Sequence, residues 1–236
     1  MPALPAGPRL PRIPNAADTM STARAIPAKK RQPKQNVERR EASIELLLGA
    51  ALRLFVSQGF RATNLEQISS AAGLTKGAVY FYFGSKESVL LEVLKRVREV
   101  VVDRALEAVE AAPADPVQRL VAYIHYQARL GITHRDEVLL LILMSLEYKE
   151  RQGEVNDFIA GLQRKQRRLI EGLIADGQKA GSIRADVPAR ELAAIVLATN
   201  DGTFLEWFRR SASLRGRELT RALRVVLLSG AALPAK

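Results

Sequence analysis

The chain has 236 residues, no cysteine and a formal net charge of +11. That length can bury a good core. The absence of cysteine excludes a disulfide framework and thiolate chemistry and suits a reducing cytoplasm, while the basic balance points to an acidic partner such as nucleic acid. Over half of the excess charge lies in residues 1–37, where Arg9, Arg12, Arg24, Lys29, Lys30, Arg31 and Lys34 oppose one acid, Asp18. Residues 1–36 are rich in proline and alanine, lack apolar periodicity and read as a disordered basic arm. Such an arm either touches DNA phosphates or is merely solvated. It lacks the long apolar core of a signal peptide, and Met20 offers a second possible start.

From there the chain reads as all-α, because no long stretch alternates with period two. A first helix is predicted over 37–58, with Ile44, Leu47, Leu48, Ala51, Leu52 and Phe55 on one face and Gly59 at its end. Two short helices follow between Thr63 and Phe83. Ser85 caps a long helix predicted over 86–111, and Asp115-Pro116 opens the next with a cap and a first-turn proline. A helix over 135–151 carries the apolar run Val138–Met144, too short to span a bilayer. Helices over 154–180, 189–210 and 216–230 complete the chain. The run RKQRR at 164–168 reads as a solvated face.

The segment from Thr63 to Lys86, TNLEQISSAAGLTKGAVYFYFGSK, is the most informative. Thr63 and Glu66 form a capping box, and Leu65, Ile68 and Ala72 share a face. Gly73 sits where the chain reverses, Leu74 plugs the corner, and Thr75 caps a second helix starting at Lys76. This is the pattern of a helix-turn-helix. The first residues of its second helix face base edges in such motifs, which makes Thr75, Lys76 and Ala78 candidates for direct readout and lets Gly77 admit the DNA closely.

Over residues 40–92 the order and spacing of these features resemble the TetR family of bacterial regulators. The likeness lies in AALRLFVSQGF, AAGLTKGAVYFYF and the Ser-Lys-Glu that follows. The resemblance implies that Thr63, Tyr80, Tyr82 and Lys86 bind phosphates. Phe81 departs from the polar side chain often found there and either contacts a base or covers a sugar. The resemblance further implies a helix-turn-helix domain over 37–85 and a helical effector-binding and dimerisation domain over 86–236. It also implies a homodimer joined through the last two helices, on the stripes Leu192, Ile195, Val196 and Thr199, and Leu219, Leu223, Val226 and Leu227. The alternative is that these stripes close the protomer's own core.

An apolar cavity with a few polar groups is expected among the remaining helices. Its candidate lining is Tyr123, Tyr126, Met144, Phe158, Leu162, Asn200, Phe204 and Trp207, with Arg129 and Glu147 meeting a charged ligand group or each other. The expected activity is therefore a transcriptional repressor that binds double-stranded operator DNA and is released by a small effector; the apolar run Val138–Met144 favours an apolar one, and a buried core explains that run as well. Two alternatives stand: an accessory DNA-binding protein without effector, and a helical ligand-binding protein with no DNA role. His125 and His134 have no metal-ligand spacing, no phosphate loop or nucleophile elbow appears, and no enzyme, cofactor, metal or membrane role is read.

Overall fold

The computed structural model describes residues 33–231, with side chains from residue 36. The basic arm expected over 1–36 lies almost wholly outside them. The described residues form ten α-helices and one π-helical turn, and those from Arg39 onward make one compact unit.

Helix α1 (Pro33–Ser57) begins four residues before the predicted start. Its inward face is the expected one, with Leu47, Leu48, Ala51 and Phe55 at most 3% exposed. Gly59 ends the segment in a left-handed conformation, φ +86°. Helices α2 (Leu65–Ala71) and α3 (Lys76–Phe83) form the two arms of the helix-turn-helix. Gly73 makes the corner at φ +68°, and the Leu74 amide donates to the Ser69 carbonyl at 2.9 Å. Leu65, Ile68 and Val79 are buried in one core with α1, which fixes the angle at which α3 is presented.

The cap of α2 differs from expectation. TNLEQ holds two overlapping capping boxes, and the backbone uses the second: Asn64 accepts from the Gln67 amide, and the Gln67 side chain accepts from the Asn64 amide. Thr63 is 1% exposed and its hydroxyl donates to the Gly59 carbonyl instead, which turns it inward and leaves the cap to its neighbour.

The helix predicted over 86–111 is a rod in three parts: α4 (Lys86–Val97), a π-helical turn over Arg98–Asp103, and α5 (Arg104–Glu110). Ser85 caps it, accepting from the Ser88 amide at 3.0 Å. Three consecutive β-branched residues, Val100–Val102, occupy the widened turn, where crowding between successive α turns is relieved.

Helix α6 (Pro116–Thr133) starts as expected on Asp115, which accepts from the Gln118 amide. Helix α7 (Arg135–Glu147) holds the apolar run, with Val138, Leu139, Leu140, Leu141 and Met144 buried; it ends before the predicted Arg151. Helices α8 (Glu154–Lys179), α9 (Ala189–Arg209) and α10 (Gly216–Ala231) complete the body. Helix α6 is apolar almost all round because α5, α8 and α10 pack on different sides of it. Gly202 faces open space; close approaches are at Gly131 against the Phe204 ring and Gly177 against Ile183.

Candidate DNA interface and effector cavity

The recognition helix α3 is two-faced. Val79 is fully buried, and Ala78, Tyr82 and Phe83 are half-buried. Thr75, Lys76, Gly77, Tyr80 and Phe81 form the opposite, exposed face, with Phe81 81% and Tyr80 48% exposed. Two adjacent exposed aromatics give this short helix an outward apolar surface. A Cβ at Gly77 would meet nothing closer than the Thr75 hydroxyl at 3.9 Å, so the backbone there lies open to a partner. The Phe81 ring sits edge-on to Tyr82 at 5.2 Å, which fixes its direction. Thr75 occupies the cap position of α3 without a side-chain cap bond, leaving its hydroxyl free among the described residues. Lys76 pairs with Glu66 of α2, which raises the pKa of its ammonium through the hydrogen bond and charge of that carboxylate.

Two residues expected at the phosphates are placed otherwise. The Thr63 hydroxyl is held inside by Gly59, as above. The Lys86 ammonium donates to the carbonyls of Phe60 and Thr63, both at 2.7 Å, and lies 4.4 Å from the centre of the Phe60 ring. It thus ties the α1–α2 loop to the start of α4.

The body contains two adjoining cavities. The smaller, about 40 Å³, is bounded by Ile132, Phe204, Trp207, Leu219 and Leu223. The larger, about 280 Å³, is bounded by Val101, Tyr123, Ile142, Ser145, Arg167 and Asp201 among others. Gln127, Val138 and Asn200 line both. Of the expected lining, Tyr123 and Asn200 border the larger cavity, and Asn200, Phe204 and Trp207 the smaller. The Asp201 carboxyl is wetted from the cavity side yet surrounded by protein, and this desolvation raises its pKa. Burial likewise raises the Tyr123 phenol.

Six expected ligand residues lie elsewhere. Met144 is core, 1% exposed. The Tyr126 hydroxyl donates to the Val100 carbonyl at 2.7 Å, and Arg129 lies over the Tyr126 ring, 5.2 Å from its centre. Glu147 meets no ligand group and not Arg129: it accepts from Arg61 of the α1–α2 loop at 3.0 Å and from Arg151 at 3.1 Å. Phe158 and Leu162 border a separate open hollow with Arg98, Asp103 and Lys165.

Gln127 and Arg167 are two of the polar cavity residues absent from the expected lining. Gln127 falls at helical spacing from Tyr123 and Gly131 on the inward face of α6, so its place was readable from the spacing. Arg167 belongs to the RKQRR run that reads as a solvated face, and it does remain exposed at the cavity mouth.

The expected dimer stripes are split by the fold. Leu192, Val196, Leu223 and Leu227 are at most 8% exposed and close the protomer's own core. Leu219 borders the smaller cavity, and Thr199 is half-buried with its hydroxyl on the Ile195 carbonyl. Ile195 and Val226 face outward at 52% and 66% exposure, joined by Val225 at 55%. A one-residue change of angle on a helix, about 100°, is enough to turn half of a broad apolar stripe inward.

Residues 47–93 match the family model described as bacterial regulatory proteins of the tetR family, and residues 113–231 match the tetracyclin repressor-like C-terminal domain. The crystal structure of the MbdR regulator from Azoarcus sp. CIB is 41% identical, covering 82% of this chain and 100% of that one at a TM-score of 0.73. The chain belongs to the TetR family. It is accordingly an all-α, DNA-binding transcriptional regulator with an N-terminal helix-turn-helix and a helical C-terminal domain. The repressor KstR2 of Rhodococcus jostii (strain RHA1) is 29% identical over 196 residues, 80% of this chain and 90% of that protein. The structure of AibR in complex with isovaleryl coenzyme A and operator DNA shares the fold at 22% identity, covering 78% of this chain and 97% of that one at a TM-score of 0.69. No described helix is long and apolar enough to cross a membrane.

Proposed function

We propose that this chain is a repressor that binds a palindromic operator as a homodimer and leaves it when a small effector fills the cavities beside α6. The observation that carries the DNA reading is the exposed face of α3. Lys76 supplies a donor for guanine O6 or N7, and the Phe81 ring an apolar surface for a thymine methyl. Tyr80 supplies a hydroxyl for phosphate, with Thr75 and Gly77 at the helix start. A single such module is a small reader, and regulators of this architecture pair two of them on half-sites about 34–36 Å apart. Ile195, Val225 and Val226, with Ala194, Ala198 and Ala222 between them on the exposed faces of α9 and α10, supply a self-complementary surface for that pairing.

The cavities support an effector with a small apolar group at Phe204 and Trp207, a hydrogen-bonding carbonyl at Gln127 and Asn200, and an anionic portion toward Arg167. A short acyl-coenzyme A has this make-up, and AibR, solved with isovaleryl coenzyme A, supports the class. Trp207 is the only tryptophan and borders the smaller cavity, so its fluorescence reports occupancy directly. Titration with isovaleryl coenzyme A is expected to change that fluorescence and to release labelled operator DNA over the same concentration range. Fluorescence and operator affinity that both stay constant would remove acyl-coenzyme A from consideration.

A further inference from the structure

The π-helical turn at Arg98–Asp103 interrupts the rod that joins the DNA-reading module to the body, and it sits against the cavity. A π turn holds one residue more than an α turn and leaves a backbone carbonyl without its usual amide partner, so it persists only where something else satisfies that group. Here α6 does so. The Tyr126 hydroxyl donates to the Val100 carbonyl at 2.7 Å, and the Gln127 side-chain amide donates to the Val101 carbonyl at 3.5 Å. From α8, Lys165 holds Asp103 at 2.7 Å, and Arg98 reaches the same carboxylate at 3.3 Å. Val101 and Gln127 both line the larger cavity, and Gln127 also lines the smaller.

We propose that Tyr126 and Gln127 are positioning residues that clamp the π turn in the DNA-binding state, and that an effector drawing Gln127 into the cavity releases the turn to migrate along the rod. Each residue the bulge passes turns by about 100° and shifts by about 1.5 Å along the axis, which re-aims α4 and the module built on it. The ligand acts by preferring the released state, so operator and effector must weaken one another by the same factor. The effector part rests on the reading above; the clamp itself does not.

The test uses the full-length protein and Tyr126→Phe, which removes one hydroxyl from a side chain that borders neither cavity. Hydrogen exchange of the amides of residues 98–104 is expected to rise tenfold or more while that of α8 stays unchanged, and operator affinity is expected to fall about tenfold. Affinity for isovaleryl coenzyme A, read from Trp207 fluorescence, is expected to rise by a comparable factor. A hydroxyl with a merely structural role would weaken both affinities together, and that result, or unchanged exchange at 98–104, overturns the proposal. If isovaleryl coenzyme A leaves Trp207 unperturbed in the unaltered protein, the acyl-coenzyme A reading fails, and exchange and operator affinity alone decide the clamp. Gln127→Leu gives a second variant for those two readouts: it is expected to reproduce both changes, and failure to do so in a folded protein contradicts the clamp.

Discussion

Single residues decide whether the interface is built or only decorated. Lys86 shows the difference. Placed by family likeness at a phosphate, it instead gives its ammonium to two loop carbonyls at 2.7 Å. Lys86→Met leaves those carbonyls unsatisfied and is expected to cost about 1–3 kcal/mol, read as a lower thermal midpoint in the absence of DNA. An unchanged midpoint together with weaker operator binding would return Lys86 to the phosphates. Tyr148 offers the opposite case. Tyr148 is 5% exposed and packs edge-on to Phe60, yet its buried hydroxyl has no hydrogen-bond partner among the described residues, and burial pushes its pKa up to about 12. Tyr148→Phe deletes an unsatisfied group and keeps the ring, so stability is expected to hold or to rise by up to about 1 kcal/mol in denaturant melts. These outcomes were not legible in the sequence, because which donor meets which carbonyl depends on segments brought together from 23 and 26 residues apart. Thr63 and Asn64 show the limit at its narrowest: both carry a legitimate capping box, and only the inward bond to Gly59 selects between them.

Whole elements were far easier to read. Apolar periodicity and caps at Ser85, Asp115 and Gly73 place nearly every helix, since these signals are local and physical. The π turn was missed because Val100–Val102 is compatible with ordinary α pitch; it is the hydroxyl of Tyr126, a neighbour in space, that sustains the wider turn. Within α8, two glycines make a matched pair that tests the packing. A Cβ on Gly177 would lie 2.5 Å from Ile183 Cδ1 and 3.2 Å from Ile183 Cβ, whereas one on Gly172 would meet nothing within 4 Å. Gly172→Ala is expected to stabilise the protein by up to about 1 kcal/mol through helix propensity. Gly177→Ala gains the same propensity but overpacks a buried contact, and a net loss of about 1 kcal/mol is expected. Equal gains from both substitutions in chemical denaturation would mean that α8 and the Ile183 loop are looser than described.

At the scale of the whole molecule, the fold class and DNA-reading role were carried by one contiguous motif, whereas the cavity lining and the outward faces of α9 and α10 were legible only in part. The reason is that α9 and α10 are apolar on more than one side. Spacing identifies such stripes but not which of them faces the core, and the structure turns Leu192, Val196, Leu223 and Leu227 inward while leaving Ile195, Val225 and Val226 outside. Charge at the outer positions should therefore separate assembly from folding. Ile195→Asp combined with Val226→Asp is expected to give a helical monomer in sedimentation, with operator affinity reduced by a hundredfold or more. Leu223→Asp is expected to unfold the body instead.

The central claim is that the exposed face of α3 reads a defined sequence as one of two paired modules. The direct test is selection of bound fragments from a random DNA pool, followed by titration of the selected site at several salt concentrations. A palindromic site with half-sites about one helical turn apart, bound at least about a thousandfold more tightly than random DNA, is the expected result. That preference should fall sharply for Lys76→Ala with Phe81→Ala. Enrichment of no sequence, with affinity that collapses uniformly as salt rises, would contradict the account and leave a basic protein held by phosphates alone.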